Sequence, residues 1–374
     1  MYQSRIPANT AIDYLISAQP DQPVLFFNPS MLGQSYKRFA KGFPGLVTYA
    51  VKANDSVEVI ENLVVAGMTA FDVASPAEMK RVRQISPSAI LHYNNPIRSR
   101  GEIREGVAHG VVSWSVDCLS ELNKLIEGGA TGEVAVRLRL PVAGAVYDFG
   151  EKFGADPLMA IELLRAVSQA GFSPAMTFHP GTQCNSPQAW ARYIEECANI
   201  AVQAGVELKR LNVGGGYAAH RTGNAPVIES IFDAIDRTVC RVFGSKRPDL
   251  ICEPGRAMVA ESYQLAVRVK AIKNDTLLYL NDGIYGGMAE WRDLGEMDRH
   301  MVFADDGQQK HGAPKNFTLY GPTCDSLDRI PGEICLPSDI DEEDYVLLAG
   351  MGAYSTATAT AFNGYGDLLR VTLG

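Results

Sequence analysis

Several polar groups in this 374-residue chain have types and spacings suited to chemistry. Lys52 follows the apolar run Tyr49-Ala50-Val51. Desolvation at such a place favours the uncharged, nucleophilic amine and so a Schiff base with an aldehyde. Alone, it reads equally as a strand-end lysine reaching for water. Glu253-Pro254-Gly255-Arg256 sets a carboxylate three residues from a guanidinium. The acid suits a protonated pyridine nitrogen and the arginine a phosphate, with an internal ion pair as the plain alternative. Asn212-Val213-Gly214-Gly215-Gly216-Tyr217 has three glycines whose N–H groups can approach a phosphate, although a flexible turn explains them too. It is not the GxGxxG pattern of dinucleotide sites. Phe178-His179-Pro180-Gly181-Thr182 offers an imidazole to stack on a ring and a hydroxyl for a phosphate. Asn281-Asp282-Gly283 and Gly321-Pro322-Thr323-Cys324-Asp325 are turn signals first, and functional only if their side chains reach a site.

Short β-rich runs alternate with helical patterns and position these groups. The runs are 46–51, 70–73, 90–93, 112–116, 134–140, 175–178, 208–213 and 250–252, with helices expected over 56–66, 76–84, 118–127, 157–169, 187–204 and 227–243. Eight strands in β-α alternation are what a (β/α)8 (TIM) barrel needs. Lys52, Asp72, Arg137, His179, Gly214–Gly216 and Glu253 all fall in or at the ends of these runs. Barrel active sites sit at the carboxyl ends of the strands, so the groups converge on one mouth. After Glu253 the pattern turns all-β, with strands expected over 263–272, 276–280, 316–319, 345–348 and 368–373. The expected division is a barrel over 25–260 and a β-sandwich or β-barrel domain from 1–24 and 261–374.

Composition sets the broad class. Apolar residues make up 46% and charged residues 21%, as in a globular protein. A net charge of −9 with no basic stripe argues against a nucleic-acid partner. Seven scattered cysteines without a CxxC pair suit reduced thiols in the cytoplasm and no metal site. No apolar run reaches membrane-spanning length, and Met1–Ile12 has no leader-like apolar stretch.

The segments YAVKAND, FDVAS, EKFGA, FHPGTQC, NVGGGY, CEPGR, NDGIYGG, YGPTCDSLDRI, GMGAYS and AFNGY occur in the order seen in fold-type III pyridoxal-phosphate (PLP) decarboxylases. From residue 25 to 368 the chain most resembles the ornithine decarboxylase branch. The resemblance implies a TIM barrel plus a β domain, PLP as cofactor, and a homodimer with active sites shared across the interface. It implies that Lys52 carries the cofactor as a Schiff base, Glu253 holds the ring nitrogen and His179 stacks on the ring. Gly214, Gly215, Gly216, Thr182, Arg256 and Tyr354 would bind the phosphate, with Asp72 and Arg137 close to the lysine. Cys324 would protonate the product carbanion from the partner subunit, and Asp282 and Asp325 would hold the distal ammonium of a small basic amino acid. The expected activity is decarboxylation of L-ornithine to putrescine, and of L-lysine to cadaverine as a second substrate, in polyamine biosynthesis.

Departures from the family pattern affect the substrate. Ser326 stands beside the substrate acid where glycine is usual, and Gly287–Arg292 differs after the NDG turn. Another or a modified diamino acid therefore stays open as substrate, with Glu290 and Arg292 as further residues to consider. An alanine-racemase-like activity is disfavoured by Glu253 and Cys324. A non-catalytic regulator on the same fold is disfavoured by the retained lysine and phosphate-binding residues.

Overall fold

In a computed structural model of the chain the described residues are 10–141, 143–146, 150–295 and 297–374. Part of the leader expectation falls on the first nine residues, outside this set. The chain divides into two compact units. One comprises residues up to Gln34, 219–225 and 259–374; the other comprises 35–218 and 226–258.

The second unit is a parallel sheet that meets itself. Its strands follow the order Leu46–Val47, Asp249–Cys252, Arg210–Asn212, Ser173–Phe178, Glu133–Leu138, Val111–Val116, Ile90–Tyr93, Ala70–Asp72 and Tyr49–Ala50. The first and last members are halves of one run, interrupted at Thr48. One half pairs with Asp249–Cys252 and the other with Ala70–Asp72. Closure continues past the strands, where Ala50 N–H donates to Pro254 O at 3.2 Å. Counting the divided run once gives the eight-stranded barrel. Its helices include Val57–Val65, Pro76–Ile85, Leu119–Glu127, Pro157–Gln169, Pro187–Ala204 and Ile228–Phe243. Proline in the first turn of Pro76–Ile85, Pro157–Gln169 and Pro187–Ala204 suits positions whose N–H lacks a helical partner.

Helix Arg100–Ala108 escaped the periodicity reading because its pattern is weakly apolar. It is fixed instead by a capping box between Ser99 and Glu102. Its one crowded point is Gly106, where the Trp114 ring of the neighbouring strand lies 2.6 Å from where a Cβ would stand. Trp114 itself is fully buried.

The other unit is an eight-stranded mixed sheet. Tyr263–Lys273 is its long central strand. Its first half pairs with Val24–Phe27 and with Tyr345–Ala349; its second half, past an irregularity at Val269–Ala271, pairs with Leu277–Leu280. Val24–Phe27, Pro29–Gly42, Ala11–Ala18, His300–Phe303 and Ile334–Pro337 are elements that sequence patterning did not identify. Val24–Phe27 is buried at all four positions and shows no alternation, so a four-residue apolar run carried no distinctive period. Val24 and Phe26 pack with Ala11, Leu15, Ala266, Phe303, Tyr345 and Leu347 in the core of this unit. Among the described residues no helix is long and apolar enough to cross a membrane.

Gly106→Ala tests the packing. In an open helix the change stabilises by up to about 1 kcal/mol. Here overpacking against Trp114 costs about 1–3 kcal/mol, so a lower melting temperature is expected in thermal denaturation. A rise would show that the ring yields freely.

Candidate active site

The run that closes the barrel also delivers Lys52. After Ala50 the backbone tightens into a 3₁₀ turn, Val51–Ala53. Val51 and Ala53 are buried, and the Tyr49 hydroxyl donates to Asn54 O at 2.9 Å, bracing the turn. Lys52 then faces a cavity of about 190 Å³ inside the barrel unit, together with Asp72, Asn94, Arg137, Phe153, His179 and Glu253. Five sequence-predicted residues thus meet in one cavity: Lys52, Asp72, Arg137, His179 and Glu253.

Their environment is highly charged. Burial pushes the Asp72 carboxyl well above the usual range; repulsion from Glu253 adds to this, and Lys52 opposes it. Burial also raises Glu253, against the Asn212 hydrogen bond and the charges of Lys52 and Arg137. One Glu253 oxygen accepts from Asn94 Nδ2 at 2.6 Å and from Asn212 Nδ2. A cationic ring nitrogen beside Glu253 would favour its ionised form, reversing the effect of burial. Burial likewise lowers Arg137, which stays charged and lies with its guanidinium 5.0 Å from the Phe153 ring centre. Phe153 is presented by a loop in which Gly154 N–H donates to Asp117 Oδ2 at 2.9 Å.

His179 is held neutral by burial, with Lys52 and Arg137 acting in the same direction. Its Nδ1 accepts the Gly181 N–H at 3.1 Å, so in the neutral ring Nε2 carries the proton. The ring orientation is therefore set by the backbone of its own loop.

The glycine run forms a cradle. Gly214 and Gly216 adopt φ of +69° and +88°. A Cβ on Gly214 would meet Phe178 O at 2.0 Å, one on Gly215 would meet Glu253 O at 2.6 Å, and one on Gly216 would meet Gly181 O at 2.3 Å. Only glycine allows the backbone this close to the strand ends that carry His179 and Glu253. Gly214 N–H donates to Asn212 Oδ1 at 2.9 Å, and Gly214 O accepts Glu253 N–H at 2.9 Å. Thr182 and Arg256 are buried in the same unit. An aldehyde-accepting lysine, a carboxylate for a ring nitrogen, a neutral imidazole and a glycine cradle with Arg256 form a donor set that fits PLP.

The remaining predicted residues lie in the β unit. Tyr354 sits there in a left-handed turn, φ +61°. Cys324 and Asp325 line a second cavity of about 550 Å³, with Lys270, Lys273, Tyr279 and Tyr320. Cys324 is exposed; its backbone N–H and thiol both point to Asn363 Oδ1, at 3.1 and 3.2 Å. Asp325 accepts the Tyr285 hydroxyl at 2.5 Å and Leu327 N–H at 3.0 Å, and these bonds hold its carboxyl below the usual range. Asp282 lies in the same unit as Asp325. It is 1% exposed and absent from the cavity lining, and its carboxylate accepts Gly287 N–H at 2.9 Å. Burial pushes its carboxyl up to about 7.

Asp328 went unremarked in the sequence although it stands inside YGPTCDSLDRI. Its carboxylate accepts Ile284 N–H at 3.0 Å and both Thr323 N–H (3.1 Å) and Thr323 Oγ1 (2.8 Å). It thereby joins the NDG turn to the turn carrying Cys324. Asn94, Asn212, Phe153, Tyr285 and Asn363 were also unassigned. Their signal was present, since all but Asn94 sit within the quoted motifs, but neutral side chains stand out less than charges.

Residues 30–260, more than half of the chain, match the family model of the pyridoxal binding domain of pyridoxal-dependent decarboxylases. The chain is 31% identical to ornithine decarboxylase 2 of Drosophila melanogaster, over 92% of this chain and 90% of that protein. Among solved structures it is similar to the lysine/ornithine decarboxylase of Vibrio vulnificus complexed with putrescine (TM-score 0.83, 26% identity, covering 98% of this chain and 99% of that one). The arginine decarboxylase of Paramecium bursaria Chlorella virus shares the fold (TM-score 0.87, 24% identity, covering 98% and 100%). The chain belongs to the pyridoxal-dependent decarboxylase family. It is a PLP-dependent amino-acid decarboxylase, a carboxy-lyase, built as a TIM barrel with a β domain.

The buried acid Asp282 gives a pH test. Its folded pKa is raised, so the stability it contributes is full below the unfolded value near 3.8 and is lost as pH rises through about 7. Asp282→Asn removes this titration. Relative to wild type, the variant should gain stability as pH rises from 4 to 8, measured by urea denaturation. A constant difference would place the Asp282 titration elsewhere.

Proposed function

We propose that the enzyme decarboxylates L-ornithine to putrescine, with L-lysine, giving cadaverine, as the second substrate. The observation that carries this reading is Asp325. It is an exposed carboxylate held ionised by Tyr285 and Leu327, directly after Cys324 and in the same cavity lining. An acid so placed suits a distal ammonium through charge-assisted hydrogen bonds. Relatives named as ornithine and lysine/ornithine decarboxylases support the choice. Polyamine supply in the cytoplasm is the corresponding role; seven free cysteines are consistent with that compartment.

In the proposed mechanism Lys52 would hold the cofactor through its side-chain amine. Bound PLP supplies the electron sink for the pair released when the Cα–carboxylate bond breaks. Glu253, fixed by Asn94 and Asn212, keeps the positive charge at the ring nitrogen. Neutral His179 would contact the cofactor ring without adding a competing charge. Gly214–Gly216, Thr182 and Arg256 would bind the phosphate, while Asp72 and Arg137 balance charge around Lys52. Cys324 of the partner subunit gives its thiol proton to Cα and is reprotonated from solvent, so the overall change is loss of carbon dioxide. Asn363, bonded to both the backbone and the thiol of Cys324, positions that proton. Asp282, with Asp325, would hold the distal ammonium of the substrate, and it also accepts Gly287 N–H in its own turn.

Two experiments test this. Asp325→Asn keeps shape and removes charge; it should lower kcat/KM on ornithine by about ten- to hundred-fold, with cofactor absorbance unchanged. Unaltered turnover of both ornithine and lysine would remove the basic-substrate reading. Mixing inactive Lys52→Ala with inactive Cys324→Ala should restore about a quarter of wild-type activity, because each randomly formed mixed dimer has one intact site. No recovery after proven subunit exchange would mean that Cys324 serves its own chain.

A further inference from the structure

The barrel interior beneath the cavity is polar where such barrels are usually filled with branched apolar side chains. Asp72, Asn94, Arg137 and Thr177 line the cavity, so the residues two positions earlier on each strand face inward one layer below. They are Ala70, His92, Ala135 and Ala175. Register places His92 beside Asp72 on one strand and Ser113 on the other. The Ser113 hydroxyl donates to Glu133 Oε1 at 2.7 Å, and Glu133 Oε2 lies 3.4 Å from Arg210.

His92 is fully buried, and neither ring nitrogen has a partner among the described residues. One oxygen of each neighbour above it, Asp72 Oδ1 and Asn94 Oδ1, is in the same position. Burial and the nearby Arg210 hold His92 neutral, with its pKa lowered to about 3. A neutral imidazole has one donor and one acceptor to satisfy. Leaving both unmet inside a protein is costly, and buried groups of this kind are ordinarily bonded to ordered water. The alanines of this layer bring no polar atom and little bulk.

We propose that His92 holds ordered water inside the barrel, bonded above to the Asp72–Asn94 pair under the cofactor cavity and below toward the Ser113–Glu133–Arg210 group. His92 is then a positioning residue. Through that water it fixes Asp72, which faces Lys52, Glu253 and Glu78, and it fixes Asn94, which donates to Glu253. The link to catalysis rests on the cavity being the PLP site, whereas the water site does not.

The test has two arms. In a high-resolution crystal structure of the holoenzyme, a water should lie within about 3.2 Å of each His92 nitrogen. Ring nitrogens surrounded by hydrocarbon or bonded only to protein would overturn the proposal. In solution, His92→Leu and His92→Gln are compared with wild type. The leucine variant should shift the pH midpoint of bound-cofactor absorbance by about half a unit or more and lower kcat several-fold, with KM nearly unchanged. Glutamine, which can bond the same water, should restore most of both. A leucine variant that matches wild type in midpoint and kcat would overturn the positioning role. If leucine prevents folding, the crystal structure and the glutamine variant decide. Failure of the cavity assignment would appear separately, as a borohydride-reducible adduct surviving in Lys52→Ala.

Discussion

Gathering Lys52, Asp72, Arg137 and Glu253 around one cavity is the constraint on which the barrel unit depends. Each charge alone would be expensive away from water. Two acids facing two bases offset one another, and the offset works only if all four arrive at one place. They come from a 3₁₀ turn and three strands widely separated in sequence. Closure of the sheet through the divided run Leu46–Ala50 is what brings the ends of those strands around one cavity. The charge balance is incomplete in the protein alone, since burial still raises both acids. A cationic ring nitrogen beside Glu253 would oppose the effect of burial there.

Neutral groups do much of the positioning. Asn94 and Asn212 restrain Glu253 from two strands, and Asn212 also accepts from the first glycine of the cradle. His179 accepts a backbone N–H from its own loop, which fixes the tautomer of the neutral ring. In the β unit Asp328 ties together two turns separated by some forty residues. The loop holding Cys324 and Asp325 is therefore not independent of the NDG loop, and a change in either is felt by both.

The barrel was legible because its strands are apolar runs punctuated by charges at their ends, and charges in apolar runs are conspicuous. Lys52, Asp72, Arg137, His179 and Glu253 were found that way, and they share one cavity. The cradle was legible because three consecutive glycines have few other uses. What stayed hidden has physical reasons. Val24–Phe27 is too short for a period and lies far from its partners in sequence. Arg100–Ala108 is held by its cap more than by its apolar face. Asp282 was singled out by motif, and its bond from Gly287 N–H is a feature that sequence spacing does not encode.

The strand Val24–Phe27 also bears on how the β unit is made. It lies between Tyr263–Lys273, antiparallel, and Leu369–Thr372, parallel. During synthesis it emerges early and must wait for more than two hundred residues before its first neighbour appears, and for nearly the whole chain before its second. All the strands of the barrel sheet are translated in that interval, and pairings of such long separation form slowly because loop closure precedes their reward. Until then four consecutive apolar residues have no strand beside them. This is the kind of segment that chaperones shield and that aggregates when they do not.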